Sequence, residues 1–261
     1  GDRLDVPTLT GIVQPRDDGY LSASRNWIAA TDPAKRVTLY GVYHAEDTFA
    51  FRSEWERDSP SRAFQAVFVP LMLAPGASWS TTYRVSVVRG LQHVDFATDE
   101  LAVQLDYETG QVTLLIASVK RFEEVSLHGR IVAPNGRVWR LPTKKFTVGP
   151  GAPARCTYGW VPPADGSYEF LAEFRRDEVP VELGKDTGSP HGGIDTQFVV
   201  GEARGIQMAA WSVAPYALER RARARPGALA ACQAGQNATT PCWYLSPAQC
   251  GRNARPRHRA T

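Results

Sequence analysis

Hydrophobic and polar residues alternate most regularly within residues 63–90, and this pattern predicts two strands joined by a turn. The second strand has Trp79, Thr81, Tyr83, Val85 and Val87 on one parity, with mostly polar residues between them. That is the period of a strand with one buried and one solvated face. The first strand, 64–73, is apolar with little alternation, as expected of a strand covered on both faces. Pro75-Gly76 suits a type II turn, so the stretch predicts a β-hairpin in the middle of a sheet.

The rest of the first 95 residues shows the same short strand-like runs and few helical patterns. Turn-forming residues, such as Asp32-Pro33 and the run 14–19, separate these runs. The predicted strands are 8–13, 26–31, 36–44 and 48–54. Together with the hairpin they predict a partial β-sandwich over residues 1–95.

Residues 98–201 predict a second β-sandwich. Strands 101–107 and 111–118 flank a turn at 108–110, and an Asn135-Gly136 turn between two further strands is a strong hairpin signal. The remaining predicted strands are 145–148, 156–160, 167–175 and 195–201. Short strands separated by turns over about a hundred residues are typical of an immunoglobulin-like sandwich.

Residues 202–261 differ in composition from the rest of the chain. They carry nine Arg, no Lys and two acidic residues, and strand-favouring residues are scarce. One interpretation is a disordered or loosely docked tail, because little apolar surface is available to offset the ordering entropy. The other two are Arg-driven binding of a polyanion and a shifted reading of a GC-rich gene. We expect an irregular or disordered tail.

The predicted fold class is therefore all-β, with two β-sandwich units followed by this tail. No apolar run approaches the ~18 residues of a membrane helix, so we expect no membrane span. The chain begins with Gly1, and residues 1–10 resemble entry into a strand. We therefore expect a fragment of a longer protein.

Two stretches resemble known families. The run from Tyr158 through Pro162, Gly166 and Tyr168 resembles the strand-turn-strand of immunoglobulin- or fibronectin-like accessory domains of bacterial extracellular proteins, and the likeness covers about residues 98–201. The residues around Trp27, with 73–79 and 83–85, resemble the closing strands of the galactose-mutarotase-like sandwich of carbohydrate-active proteins. These resemblances imply an extracellular or periplasmic protein of carbohydrate metabolism, and the second implies a missing N-terminal part with any epimerase-type catalytic His.

The candidate ligand-binding residues are Glu54, Trp55, Glu56 and Asp58, in and beside a charged loop. An indole stacks on sugar rings, while carboxylates hydrogen bond hydroxyls or act as acid and base. Such a cluster is also common at a solvated hairpin tip. Catalysis, ligand contact and no role all stay open for it.

The sequence contains no hydrolase elbow, phosphate-binding loop, zinc-protease motif or dinucleotide fingerprint. Asp95, Asp99 and Glu100 are candidate calcium ligands, but neither their spacing nor a glycine supports a defined loop. The four cysteines match no zinc spacing, and Cys156 is predicted to be a buried thiol. We therefore assign no metal, cofactor or catalytic residue from the sequence.

The favoured hypothesis is a non-catalytic spacer or weak carbohydrate-binding module of a larger exported carbohydrate-processing protein. The alternative is a C-terminal remnant of an epimerase-like, hydrolase or lyase enzyme whose catalytic groups lie mostly upstream. The expected partners are carbohydrate and other domains of the parent chain, without specific nucleic acid.

Overall fold

The computed structural model describes residues 3–8, 11–14, 19–21, 24–44, 46–55, 62–184 and 192–201. All of them belong to one compact unit, Gly1–Tyr216, whereas a second unit, Ala217–Thr261, lies outside the described residues. Every regular element in the described ranges is a β-strand, which confirms the all-β fold class. None of these ranges contains a helix that is long and apolar enough to span a membrane. The predicted tail, 202–261, is outside them and its interpretation stays a prediction.

The strands in chain order are β1 Arg3–Thr8, β2 Gly11–Val13, β3 Gly19–Leu21, β4 Trp27–Asp32, β5 Val37–Tyr43, β6 Thr48–Trp55, β7 Arg62–Phe68, β8 Tyr83–Arg89, β9 Phe96–Ala97, β10 Leu101–Glu108, β11 Gln111–Ser118, β12 Phe122–Val132, β13 Val138–Arg140, β14 Lys144–Val148, β15 Ala154–Gly159, β16 Gly166–Arg176, β17 Val179–Pro180 and β18 Ile194–Val200.

These strands form four antiparallel sheets. The N-terminal half contributes a five-stranded sheet of order β2-β1-β4-β5-β8 and a three-stranded sheet of order β3-β6-β7. The C-terminal half contributes one sheet of order β15-β11-β10-β9. Its other sheet has the order β13-β12-β16-β17, and β14 pairs with β12 while β18 pairs with β16.

Local turn chemistry explains two of the hairpins in the C-terminal half. Strands β10 and β11 pair from Leu101↔Ser118 to Glu108↔Gln111, and both turn residues have positive φ, 44° at Thr109 and 77° at Gly110. Strands β12 and β13 flank the Asn135-Gly136 turn, where Gly136 has φ 81°. Both predicted hairpins are confirmed, because in each a glycine occupies the left-handed region that it tolerates best.

The two C-terminal sheets share one core. Buried residues of β10 and β11, such as Leu105 and Leu114, lie in the same cluster as Phe170 and Phe174 of β16. Phe174 makes edge-on ring contacts with Phe122 and Phe146, at centroid distances of 5.7 and 5.2 Å. Cys156 is 3% exposed inside this cluster, as predicted for a buried thiol. The arrangement is that of a β-sandwich-like core, in which apolar faces of two sheets exclude water together.

The five-stranded sheet is covered on both faces, but unevenly. One face, with Trp27, Tyr40 and Val88, packs against residues that include Ala102 and Ala117 of the C-terminal half. Residues of the other face, Leu4, Val6 and Ile28 among them, pack against the three-stranded sheet. The structure thus joins the two halves through buried apolar surface, while the predicted division between 1–95 and 98–201 stays a prediction.

The hairpin predicted within residues 63–90 is wrong, although its turn is present. Ala77 N–H donates to the Ala74 carbonyl at 3.0 Å and Gly76 has φ 81°, as a type II turn requires. However, β7 pairs with β6 and β8 pairs with β5, so the two strands belong to different sheets. Pro70 follows the end of β7 closely, and proline cannot donate to a strand ladder. Met72 is fully exposed, contrary to coverage on both faces.

The predicted buried and solvated faces of β8 are reversed. Tyr83, Val85 and Val87 are 62%, 50% and 58% exposed, whereas Ser86 is 9% and Val88 is 5% exposed. The alternation is real, but the side that carries more aliphatic residues is the uncovered one. A further correction concerns the strand predicted at 8–13, which is two strands, β1 and β2, paired antiparallel with Thr8 opposite Gly11.

Candidate functional site

The predicted ligand-binding loop is only partly within the described ranges. Glu54 and Trp55 are the last two residues of β6, where the backbone of Trp55 pairs with Arg62 of β7. Glu56 and Asp58 lie outside the described residues. The four-residue site therefore stays a prediction, and Glu54 is the member whose side chain can be placed.

The Glu54 carboxylate lies beside polar side chains on the same sheet. Its Oε1 is 2.9 Å from Arg52 Nη1, and it accepts a hydrogen bond from Gln65 Nε2 at 3.3 Å. The side chains of Arg52 and Glu54 are 38% and 31% exposed. This partial exposure leaves room for a ligand, while the two donors hold the carboxylate in place.

An exposed aromatic ring completes this surface. Tyr20 of β3 is 68% exposed, and the Arg52 guanidinium carbon lies 5.6 Å from the centre of its ring. Tyr20 is directly opposite Arg52, and Arg52 is directly opposite Gln65, so the three form one row across the sheet. Cross-strand partners lie on the same face, so the row shares the outer face. Glu54 is two residues after Arg52 on β6 and therefore lies on that face as well. We call Tyr20, Arg52, Glu54 and Gln65 the Tyr20 face.

The described side chains of the Tyr20 face can bind a polar ligand. A flat exposed ring can stack on the C–H face of a sugar, and the neighbouring guanidinium, carboxylate and amide can bond its hydroxyls. Glycoside hydrolysis needs two carboxyl groups roughly 5 to 9.5 Å apart. Among the described side chains of this face, Glu54 supplies one carboxylate, and it is already paired with a cation.

Sequence reasoning missed Tyr20, Arg52 and Gln65. Tyr20 follows a run of turn residues and shows no periodicity of its own. Its position beside Arg52 depends on the pairing of β3 with a strand 32 residues further along the chain. One signal was available in the sequence: residues of β6 alternate between two faces, so Arg52 and Glu54, two residues apart, lie on the same side.

A second polar cluster, centred on His93, is largely buried. His93 Nε2 lies 2.9 Å from Asp95 Oδ2 and 3.7 Å from Asp106 Oδ1, and the His93 and Asp95 side chains are 15% and 13% exposed. Burial opposes the charge of the imidazole, but the hydrogen bond and the charge of Asp95 outweigh it and raise the pKa of His93. Asp95 also accepts the backbone N–H of Leu105 at 2.7 Å.

Asp5 joins the first strand to the same region. Its carboxylate is fully buried, and it accepts the Val94 N–H at 3.0 Å and Arg3 Nε at 2.7 Å. Burial raises the pKa of Asp5, and the Arg3 charge offsets this only in part. These contacts brace β1 against the segment before β9, which is a structural role.

The acids considered for calcium are paired with cations or with backbone donors. Arg84 lies 3.4 Å from Asp99, and Lys120 lies 2.9 Å from Glu100. In the ranges that the structure describes, no group of three or more His, Cys, Asp and Glu is arranged to hold a metal ion.

A groove of about 200 Å³ lies apart from both polar clusters. It is lined by Val87, Val88, Arg89, Ala117, Ser118, Val119, Gly149, Pro150, Gly151 and Ala152. Its lining contains no acid and no histidine, so it offers no acid or base for catalysis.

The fold and the Tyr20 face define an all-β, β-sandwich-like protein with an exposed polar and aromatic surface. The chain matches no protein-family model, no curated protein and no solved structure.

Proposed function

We propose that this chain is a non-catalytic accessory module of a larger exported carbohydrate-processing protein, and that it binds glycan weakly through the Tyr20 face. The observation that carries the proposal is the exposed Tyr20 ring, held beside Arg52 and within one row of Gln65. A shallow surface with one exposed ring favours low affinity, because it buries little of a ligand. Localisation outside the cytoplasm is part of the proposal and rests on the resemblance to accessory domains.

The topology of the C-terminal half supports an immunoglobulin-like assignment for residues 98–201. Strands β10, β11 and β15 share one sheet, while β12, β16 and β18 share the facing sheet. Tyr168, near the start of β16, donates its hydroxyl to the carbonyl of Ala164, just before that strand, at 2.7 Å. A tyrosine that bonds back to the chain at this corner is a hallmark of such sandwiches, as is a buried tryptophan like Trp160.

The N-terminal half supports the assignment as part of a mutarotase-like sandwich, over residues 1–95. Its two sheets pack through Leu4, Ile28 and Phe51. The second sheet has three strands against five in the first, which suits a sandwich of which only a part is present.

A glycan array followed by calorimetry tests the proposal. The array identifies an oligosaccharide ligand, and titration calorimetry with that soluble oligosaccharide measures affinity for a single site. We expect Tyr20→Ala to weaken binding at least about fivefold, as loss of an aromatic anchor does. Tyr83→Ala is the matched control, since Tyr83 is an equally exposed tyrosine, 62% against 68%, on another sheet. Equal losses in the two variants, or no binding to any glycan, would contradict the proposal.

The alternative is a remnant of a sugar-processing enzyme, and it is favoured by one observation, the Glu54 carboxylate within the Tyr20 face. Proton NMR of aldoses and polysaccharides incubated with the chain separates the two functions. Turnover that is lost in Glu54→Gln would establish the enzyme and overturn the binding module. The binding module predicts no turnover and a smaller loss of affinity in Glu54→Gln than in Tyr20→Ala, because the amide keeps an oxygen acceptor.

A further inference from the structure

Two arginines lie directly opposite each other on the outer face of the larger C-terminal sheet. Arg130 of β12 pairs with Arg140 of β13. The next pair, Ile131 and Trp139, packs into the sandwich core, so both arginines project from the other face, where both are exposed. Directly opposite residues have Cβ atoms about 4.5 to 5.5 Å apart, so the two guanidinium groups can reach one anion. We call these two residues the arginine pair.

The arginine pair has no counter-ion within the described residues, where neither member forms an ion pair or a hydrogen bond. Of the three acids that β16 and β18 place on the same face, two are held by other cations. Glu173 is paired with Arg175 at 2.5 Å, and Asp195 is paired with Arg25 at 2.8 Å. The third, Glu169, is paired with neither member. Like charges directly opposite each other destabilise a sheet, so the arginine pair carries a cost that a bound anion would remove.

Protection of the sheet edge explains one member of the pair but not the other. Cations on edge strands oppose unwanted strand pairing, and Arg140 of β13 and Lys145 of β14 fit that role. Strand β12 is paired on both sides, with β13 and β14 along one edge and β16 along the other, so Arg130 protects no edge. Arg155 of the edge strand β15 lies opposite Leu115, which shows that edge protection needs no second cation.

A shielded ring nitrogen lies beside the arginine pair. His128 precedes Arg130 by two residues on β12, so the two side chains share the outer face. Its Nε2 is buried and has no hydrogen-bond partner within the described residues. Imidazole can carry a proton on Nε2 and donate it to an oxyanion. Lys145, opposite Ser126, adds an exposed cation further along the same strand.

We propose that the arginine pair binds carboxylate groups of an acidic polysaccharide. Planar guanidinium groups match the two oxygens of a carboxylate, and such charge-assisted hydrogen bonds are about twice as strong as neutral ones. Duplex DNA carries one charge per about 1.7 Å and is repelled by residues 1–201, which carry 21 basic and 25 acidic residues. A uronic-acid chain has at most one charge per sugar ring. The choice of polysaccharide as the carrier rests on the proposed function, whereas the anion site rests on the arginine pair.

NMR titration of the nitrogen-15-labelled full chain tests the site. The probe is trigalacturonate, and galactotriose is its uncharged counterpart. We expect trigalacturonate, but not galactotriose, to shift the backbone amides of residues 128–131 and 139–141. Arg130→Gln and Arg140→Gln should each raise the dissociation constant at these amides at least about fivefold, because each removes charge-assisted hydrogen bonds.

The matched control is Arg155→Gln. It removes the same charge from an exposed arginine on another sheet and should leave the dissociation constant unchanged. The nine arginines of residues 202–261 are present in every variant, so their attraction for the probe does not affect the comparison. The retained spectra of the variants confirm the fold, as expected for exposed positions.

The site would be overturned by an absence of shifts at the arginine pair, by no loss in either arginine variant, or by an equal loss in Arg155→Gln. Tighter binding of sodium acetate, triglutamate or octathymidylate than of trigalacturonate at these amides would overturn the polysaccharide as carrier. Tyr20→Ala should leave binding at the pair unchanged, because Tyr20 lies on another sheet. Shifts at the pair without any glycan binding at the Tyr20 face would contradict the proposed function alone, and the reverse result would contradict the arginine pair alone.

Discussion

Substitution of Asp5 separates the role of a buried acceptor from that of a buried charge. The Asp5 carboxylate is fully buried and accepts the Val94 N–H at 3.0 Å, across 89 residues of sequence, as well as Arg3 Nε at 2.7 Å. Asp5→Ala removes both the acceptor and the charge. Asp5→Asn removes the charge but keeps an oxygen that can accept from Val94.

The expected losses follow from the two partners. A buried N–H left without an acceptor costs about 1 to 3 kcal/mol. The Asp5 side chain is 0% and the Arg3 side chain 29% exposed, so the cost of burying the charges offsets much of their attraction and the net contribution of the ion pair is small. Removing the charge also removes the free-energy cost of burying it. We therefore expect a loss of about 2 kcal/mol in Asp5→Ala and less than about 1 kcal/mol in Asp5→Asn.

The pH dependence gives a second, independent test of Asp5. Burial raises its pKa above the ordinary value of 3.8, so the folded state takes up a proton at a higher pH than the unfolded state does. The stability of the wild type relative to Asp5→Asn should therefore increase as the pH falls through the folded-state pKa. This gain in stability should be complete below pH 3.8, the ordinary pKa, and should be lost as the pH rises through the folded-state pKa.

Urea denaturation of the three proteins, from neutral to acidic pH, measures both effects. Asp5→Asn and Asp5→Ala losing the same free energy of unfolding would refute the argument, because the acceptor would then contribute nothing. A wild type that becomes less stable than Asp5→Asn on acidification would refute the sign of the pKa shift.

Three further predictions concern other contacts. His93→Gln should lose most stability below pH 6.5, because the charged imidazole pairs with Asp95 in the folded state. In urea denaturation, the difference from wild type should shrink as the pH rises through the raised pKa of His93. A difference that grows with pH would contradict the pairing with Asp95. Tyr168→Phe should lower the free energy of unfolding by about 1 kcal/mol, and an unchanged urea midpoint would show that its corner hydrogen bond contributes nothing. Gly193→Ala should lower the free energy of unfolding by more than about 2 kcal/mol, because its Cβ would collide with a backbone carbonyl of β16. Gly159→Ala is the control, since that position has open space, and its melting temperature should stay close to that of the wild type.

Elements with local signals were predicted well from the sequence. The β10–β11 and β12–β13 hairpins depend on Gly110 and Gly136, and a glycine in a turn is visible without knowledge of the rest of the fold. The strand of residues 167–175 was predicted close to β16, Gly166–Arg176, because its alternation is long and one of its faces is truly buried. In these cases the local preference and the tertiary environment agree.

The Tyr20 face could not be predicted in the same way. Glu54 was found because its loop is visibly acidic and aromatic. Tyr20 and Gln65 become its neighbours only through strand register, since Tyr20 pairs across to Arg52 and Arg52 pairs across to Gln65. Register in a three-stranded sheet is a nonlocal property, so a single sequence shows the residues without showing the row.

The reversed faces of β8 have a different physical origin, the unequal width of two sheets. Alternation fixes which residues share a face, but burial depends on what lies above that face. On the side toward the C-terminal half, Ser86 and Val88 are buried although one of them is polar. On the other side three strands cannot cover five, so Val85 and Val87 remain in solvent. Alternation alone therefore cannot show which face of an edge strand is buried, because the width of the covering sheet decides it.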